Sequence, residues 1–501
     1  MSAADRPIVD TAHGSVQGVW RENSAAFLGI PFAQPPVGEL RFAAPVPHQP
    51  WTGLLDASSH GATPQRVPYA PETLIPEPSI AGESTLNVNV FTPHLGVATS
   101  KDGSGTTASA LPVLVFFHGG AYLAGSPASP WYDGSGFNQD SVVTVTVSYR
   151  LGFDGFGWIS DAPHNRAVRD WLLALEWVQD NIAAFGGDPA QVTLAGQSAG
   201  GGAVLTLLTM PSAQHLFARV ISLSGVTTTQ SLEAAQDYGT RFAALGGVTP
   251  TRSGFGTLSE LQITDLQDQM AQEAAAGDPL EDLFAMVRDG LVLAPYVDGD
   301  LIPYPTVEGI GHGIGADKQV LLGSADQEFN GNLAQAGPAL EGQSTEQVLA
   351  RLGMSETTCA SYLQSHPGLT QIEIVGQAVS DLLFRVWALK VAQARAAQDP
   401  RSLTWVYRFG WISPTMGVSC HCLDLPFFFN APAAPGAAKL LGETPPASLV
   451  RDLHGTAADF VHGRAPQWQP WTQNTRQAYL FAVPGMLISN AYTDIDMLAI
   501  G

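Results

Sequence analysis

A serine set between glycines, Gly196-Gln197-Ser198-Ala199-Gly200, is the grouping in this chain best suited to covalent chemistry. Residues 191–195 before it form a short apolar run with β-branched Val192 and Thr193, and residues 203–210 after it have helical composition. Strand, Gly-x-Ser-x-Gly, helix is the context in which a serine is lifted onto a tight turn and offered to substrate. Small flanking residues let neighbouring backbone approach closely. The N-terminus of the following helix adds partial positive charge where an oxyanion would develop.

A neutral hydroxyl is a poor nucleophile, so a base must take its proton and an acid must orient that base. In an order of serine, then carboxylate, then histidine, the base comes from His312, His366, His421, His454 or His462. His421, in GVSCHCLDLPFFF, has the apolar-flanked, turn-like setting after a strand. The acid should stand just past a strand end. The apolar run 320–323 leads into Ser324-Ala325-Asp326-Gln327-Glu328, and spacing alone does not separate Asp326 from Glu328.

The elements that must position these groups read as an α/β order. Residues 111–117 (LPVLVFF) and 142–149 (VVTVTVSY) are continuous apolar runs, the mark of strands covered on both faces. Between 165 and 185 apolar residues recur at Val168, Trp171, Leu172, Leu175, Val178 and Ile182, an amphipathic helix that Gly186-Gly187 would end. Residues 216–224, 320–323, 404–409 and 478–483 read as further strands, and 451–463 as a helix. The first 50 residues suggest a packed N-terminal β-subdomain, and 61–84 and 95–110 are loops by composition. The prediction is one α/β domain over 1–501, a large, mostly parallel twisted sheet flanked by helices, doubly wound. Helical insertions at about 230–310 and 330–400 would form part of the wall around Ser198.

Composition narrows the class. The 501 residues are 45% hydrophobic and 14% charged, a folded, globular make-up. A net charge of −22 argues against nucleic acid and anionic membrane as partners. Three cysteines, Cys359, Cys420 and Cys422, make no even set of disulfides. The opening MSAADRPIVDTAHG carries no apolar signal-peptide core, and no apolar run approaches 18 residues. The expectation is a cytoplasmic protein, monomeric or weakly homo-oligomeric, with no cofactor. No HExxH or CxxC pattern points to a metal.

With these residues in hand the chain resembles the type-B carboxylesterases, the carboxylesterase and cholinesterase branch of the α/β hydrolases, nearly from end to end. GIPFAQPPVGELRF is similar to the family's N-terminal signature, HGGAY to its oxyanion loop, and FGGDPAQVTLAGQSAGG to its nucleophile signature. The resemblance implies the α/β-hydrolase fold. It places the acid five residues after the strand-ending Gly323, at Glu328, leaves Asp326 as the runner-up, and aligns His421 with the catalytic histidine. The implied chemistry is acyl transfer on a small, fairly apolar ester, with the oxyanion held by the N–H groups of Gly119, Gly120 and Ala199. A carbamate or amide hydrolase would use the same residues, and a catalytically dead binding protein is the reading of another class.

Two departures from the family stand out. Thr63 and Thr85 occupy the positions where a disulfide commonly closes a loop, which predicts a mobile 64–82 segment. Cys422 follows His421 where glycine is usual. The resemblance also suggests a buried Arg41–Glu83 ion pair and a supporting Ser224. Leu123, Phe284 and Phe329 are the candidate lining residues, with ordinary packing the competing reading for each.

Overall fold

The computed structural model describes residues 6–22, 24–64, 73–95, 110–333, 337–398 and 402–499. Among them eleven strands form one mixed sheet. In chain order these are β1 (Val19–Arg21), β2 (Ser24–Pro31), β3 (Asn87–Thr92), β4 (Leu111–Phe117), β5 (Val143–Val147), β6 (Gly187–Gln197), β7 (Arg219–Leu223), β8 (Gln319–Ala325), β9 (Thr404–Phe409), β10 (Ala478–Phe481) and β11 (Met486–Ile488). Their spatial order is β11-β10-β9-β8-β7-β6-β4-β5-β3-β2-β1. Pairing is parallel from β5 through β4 and β6 to β10, and antiparallel at both ends. This is the α/β-hydrolase arrangement. A three-stranded sheet of Ile8–Thr11, Gly14–Gln17 and Leu54–Asp56 stands at the N-terminal end.

Strand alternation divides the core between the two faces. On β4, Val113, Val115 and Phe117 join one cluster with Trp171, Leu175 and Val178 of helix α1 (Arg166–Asn181). Leu114 and Phe116 join another with Ile221, Leu321, Trp405 and the Phe427–Phe429 run. α1 buries positions 167, 168, 171, 174, 175 and 178, one helical face; it ends at Asn181, and the 3-10 turn that follows, Ile182–Phe185, is the element that closes at Gly186 with φ 86°. A third cluster ties together the helices after β7: Phe284, Leu349, Tyr362, Val375 and Leu389 pack with Trp471 and Tyr492.

Several local expectations are revised. The helix after Ser198, α2, spans Ala199–Leu208 and begins directly at the elbow, four residues before the apolar run that signalled it. Within the expected N-terminal β-subdomain, Gly14–Gln17 and Val19–Arg21 belong to two different sheets and part at Gly18, where a Cβ would lie 2.4 Å from the Ala26 carbonyl oxygen. Arg41 does not pair with Glu83. Glu83 is exposed in a turn, and Arg41 forks onto Asp154 at 2.8 and 3.2 Å. Thr63 and Ile80 exchange hydrogen bonds, N–H to carbonyl at 3.0 Å and N–H to hydroxyl at 2.9 Å. The polar side chain thus ties the loop's returning limb. Residues 65–72 of the segment expected to be mobile lie outside the described residues. Among the described residues no helix is long and apolar enough to cross a membrane, and no group of three potential ligands could hold a metal ion.

Candidate active site

Ser198 stands between β6 and α2 with φ 57° and ψ −121°, a conformation that costs energy for any residue with a side chain. Both flanking glycines are required. A Cβ on Gly196 would lie 2.2 Å from the Gly200 carbonyl oxygen, and one on Gly200 would lie 2.0 Å from that of Phe117. The turn leaves Ser198 partly exposed while Gln197 and Ala199 are buried.

Glu328 and His421 reach the elbow from the loops after β8 and β9. Glu328 is fully buried. Its Oε2 accepts from His421 Nδ1 at 2.5 Å, and its Oε1 accepts from the Ser224 hydroxyl at 2.6 Å and the Ala325 N–H at 2.8 Å. The His421 N–H also donates to the Glu328 carbonyl at 2.8 Å. A carboxylate only accepts, so a ring proton sits on Nδ1, and whenever the imidazole is neutral it presents its lone pair at Nε2. Burial opposes charge on this ring, but Cys422 and Glu328 outweigh it and raise the His421 pKa well above the ordinary histidine value. Nε2 faces the Gln197 side-chain nitrogen at 3.1 Å. Asp326, the other candidate acid, is paired with Arg408 at 2.7 Å.

Gly119 and Gly120 follow β4 in a turn closed by two bonds to the Gly120 carbonyl, from Leu123 N–H at 2.9 Å and Ala124 N–H at 3.0 Å. Gly120 (φ 109°), Ala121 (φ 53°) and Tyr122 (φ 62°) all lie at positive φ. Among the described residues the N–H groups of Gly119 and Gly120 find no acceptor. Ala199 begins α2, where an N–H has no partner within the helix. A Cβ on Gly119 would come within 3.1 Å of the Ser198 Cβ, so loop and elbow touch. Below them the His118 ring stacks on Tyr149 at 4.5 Å and donates from Nδ1 to the Gly119 carbonyl at 2.8 Å. Burial pushes the His118 pKa down to about 4.

The sequence and the fold have known counterparts. The carboxylesterase family model matches residues 5–483. The chain is 33% identical to para-nitrobenzyl esterase of Bacillus subtilis (strain 168), over 84% of this chain and 83% of that protein. It is 31% identical to phenmedipham hydrolase of Pseudarthrobacter oxydans, over 92% of each. Among solved structures it superposes on a PNB esterase with a TM-score of 0.83 at 28% identity, covering 98% of both chains. The carboxylesterase EST55 of Geobacillus stearothermophilus gives 0.81 at 27% identity, covering 97% of this chain and 98% of that one. The chain belongs to the carboxylesterase family.

The three candidate lining residues of this carboxylesterase fall in different places. Phe329 packs edge-on against the His421 ring at 5.2 Å, beside Phe384 at 4.7 Å. Leu123 is 37% exposed and borders a cavity with Pro36, Arg150 and Gln267. Phe284 has no exposed surface and sits within the core of the helical insertion, a packing position. A cavity of about 240 Å³ lies instead between Tyr122, Thr227–Gln230, Met286, Leu383 and Trp387. Neither Ser198 nor His421 lines it. It borders the site through Tyr122 of the glycine loop and through Leu383, the neighbour of Phe384. Leu383 and Phe384 lie in the π-helical turn Asp381–Arg385, a distortion that recurs at functional sites. Sequence periodicity gave no sign of this turn, because it continues a helix without interrupting its apolar pattern. Gln197 was also missed as a partner of His421. The one available signal was its place beside the serine.

Proposed function

We propose that this carboxylesterase hydrolyses small, fairly apolar carboxylic esters through an acyl-enzyme on Ser198. The observation that carries the proposal is the buried Glu328 holding His421 at 2.5 Å beside the strained serine turn. Ser198 Oγ attacks the ester carbonyl as its proton passes to His421 Nε2. The imidazolium then gives that proton to the departing alcohol, and Glu328 stays ionised and offsets its charge. Water, activated by the same ring, cleaves the acyl-enzyme. The N–H groups of Gly119, Gly120 and Ala199 bind the oxyanion, each donor contributing about 3–4 kcal/mol in the transition state. The whole chain acts as one catalytic domain, since the insertion core includes Trp471 and Tyr492 from the C-terminal region and Val406 of β9.

Purified enzyme should hydrolyse short-chain p-nitrophenyl esters and be inactivated by a serine-directed phosphonate that labels Ser198. Ser198→Ala should lower kcat by roughly four to six orders of magnitude. Full activity in that variant would refute the assignment. Phenmedipham belongs in the same substrate panel, because one relative is named for its hydrolysis.

A further inference from the structure

Gln197 takes no part in the acyl-transfer steps above, yet its side chain touches both halves of the machinery. It is 1% exposed. Its Nε2 lies 3.1 Å from His421 Nε2, and its Oε1 lies where a Cβ on Gly119 would meet it at 2.7 Å. The amide is therefore wedged between the imidazole and the first glycine of the oxyanion loop. In the neutral ring, the form that activity requires, Glu328 holds the one proton on Nδ1, and the Gln197 NH₂ donates to the Nε2 lone pair. That lone pair is the one that has to receive the serine proton. Among the described residues Ser198 Oγ makes no hydrogen bond, while His421 Nε2 is in contact with Gln197.

We propose that Gln197 is a positioning residue that masks the base: in the resting enzyme with the ring neutral, its side-chain amide occupies His421 Nε2. Substrate binding must exchange this N–H···N bond for the O–H···N bond of Ser198 before attack. The proposal rests on the roles given above to Ser198 and His421. Gln197 and Ser198 are consecutive at the elbow, and on this reading the two donors compete for one lone pair. The other groups facing His421 are Glu328 at Nδ1, Cys420 and Cys422 on either side in sequence, and Asp424 with Tyr407 behind it. Phe329 and Phe384 cover the ring without charge. Gln197 is also uncharged. Its influence on protonation comes through the hydrogen bond alone, and a donor to the neutral ring disfavours the imidazolium.

Gln197→Met keeps the length of the side chain and removes the donor. The second-order rate of phosphonate inactivation and the acylation burst with a p-nitrophenyl ester should each rise about fivefold, the worth of one ordinary hydrogen bond. The acid limb of kcat/KM should move to higher pH, since a proton then binds His421 without displacing a donor. Gln197→Glu, nearly isosteric, puts an acceptor at the same place. It should move the limb further up and lower kcat, and it carries the test should the methionine variant fail to fold. Wild-type inactivation rates and an unmoved acid limb in a folded variant would overturn the mask, because a purely structural glutamine changes stability and leaves both untouched. If wild-type enzyme is not labelled at Ser198, the assignment of the nucleophile fails first and the mask with it. Labelling at Ser198 with unchanged variant rates removes the mask alone.

Discussion

The Ser224 hydroxyl donates to Glu328 Oε1 at 2.6 Å, on the side of the carboxylate opposite His421. Ser224 lies just past the end of β7, the strand between the one that carries Ser198 and the one that leads to Glu328, and has φ 49°. The contact fills the second oxygen of a carboxylate that has no access to water. It ties the orientation of His421 to the register of the central strands. Ser224→Ala leaves Oε1 with the Ala325 N–H alone. We expect kcat to fall about ten- to hundredfold with KM nearly constant, the effect of one lost bond to a charged group. Steady-state kinetics on p-nitrophenyl butyrate checks this.

Glu328→Gln removes the charge and keeps the shape. The neutral amide can present its NH₂ to Nδ1 and hold the wrong tautomer, so kcat should fall by about three to four orders of magnitude. The sign of the pH effect follows from the raised His421 pKa. Activity requires neutral imidazole, and Glu328 is one of the groups that hold the imidazolium in place against burial. Without it burial gains weight, and the acid limb of kcat/KM should move to lower pH. A limb that stays in place or rises would contradict the pairing.

His118 makes a separate prediction about stability. Burial lowers its pKa from 6.5 to about 4, so between those values the unfolded chain binds a proton that the native state refuses. Stability from this group is complete above pH 6.5 and is lost as pH falls toward 4, by up to about 3 kcal/mol. Asp424, raised to about 7 by burial and by Glu328, acts with the opposite sign, because the folded state keeps its proton longer. On acidification from pH 6.5 to 4 the Tm of His118→Asn should therefore fall less, or rise more, than that of wild type. Thermal unfolding across that range is the measurement.

Two glycine substitutions should differ in sign. Gly200→Ala drives a methyl to 2.0 Å from the Phe117 carbonyl oxygen, backbone that cannot step aside, and should cost about 3 kcal/mol or prevent folding. Gly455, inside the helix Ala447–Val461, has nothing within 4 Å of its added Cβ and no positive φ. Gly455→Ala should stabilise by about 0.5–1 kcal/mol through helix propensity and a less flexible unfolded chain. Tm measurements on the pair compare close contact with open space in one protein.

Much of this was legible in the linear sequence. Continuous apolar runs at 111–117 and 142–149 identified central strands because a parallel sheet is covered on both faces. The Gly-x-Ser-x-Gly pattern between strand and helix located the elbow, since only glycine tolerates the backbone contacts now seen at positions 196 and 200. Resemblance to the family, and not spacing, separated Glu328 from Asp326. The contacts themselves were decided by tertiary structure. Gln197 and His421 are 224 positions apart, Arg41 and Asp154 are 113, and no local period encodes such a meeting. Phe284 reads equally well as cavity wall or as core until the neighbouring helices are in place. Apolar patterning reports which face of an element avoids water. Which side chain it then meets depends on how distant elements are brought together, and that is set by the packing of the whole sheet.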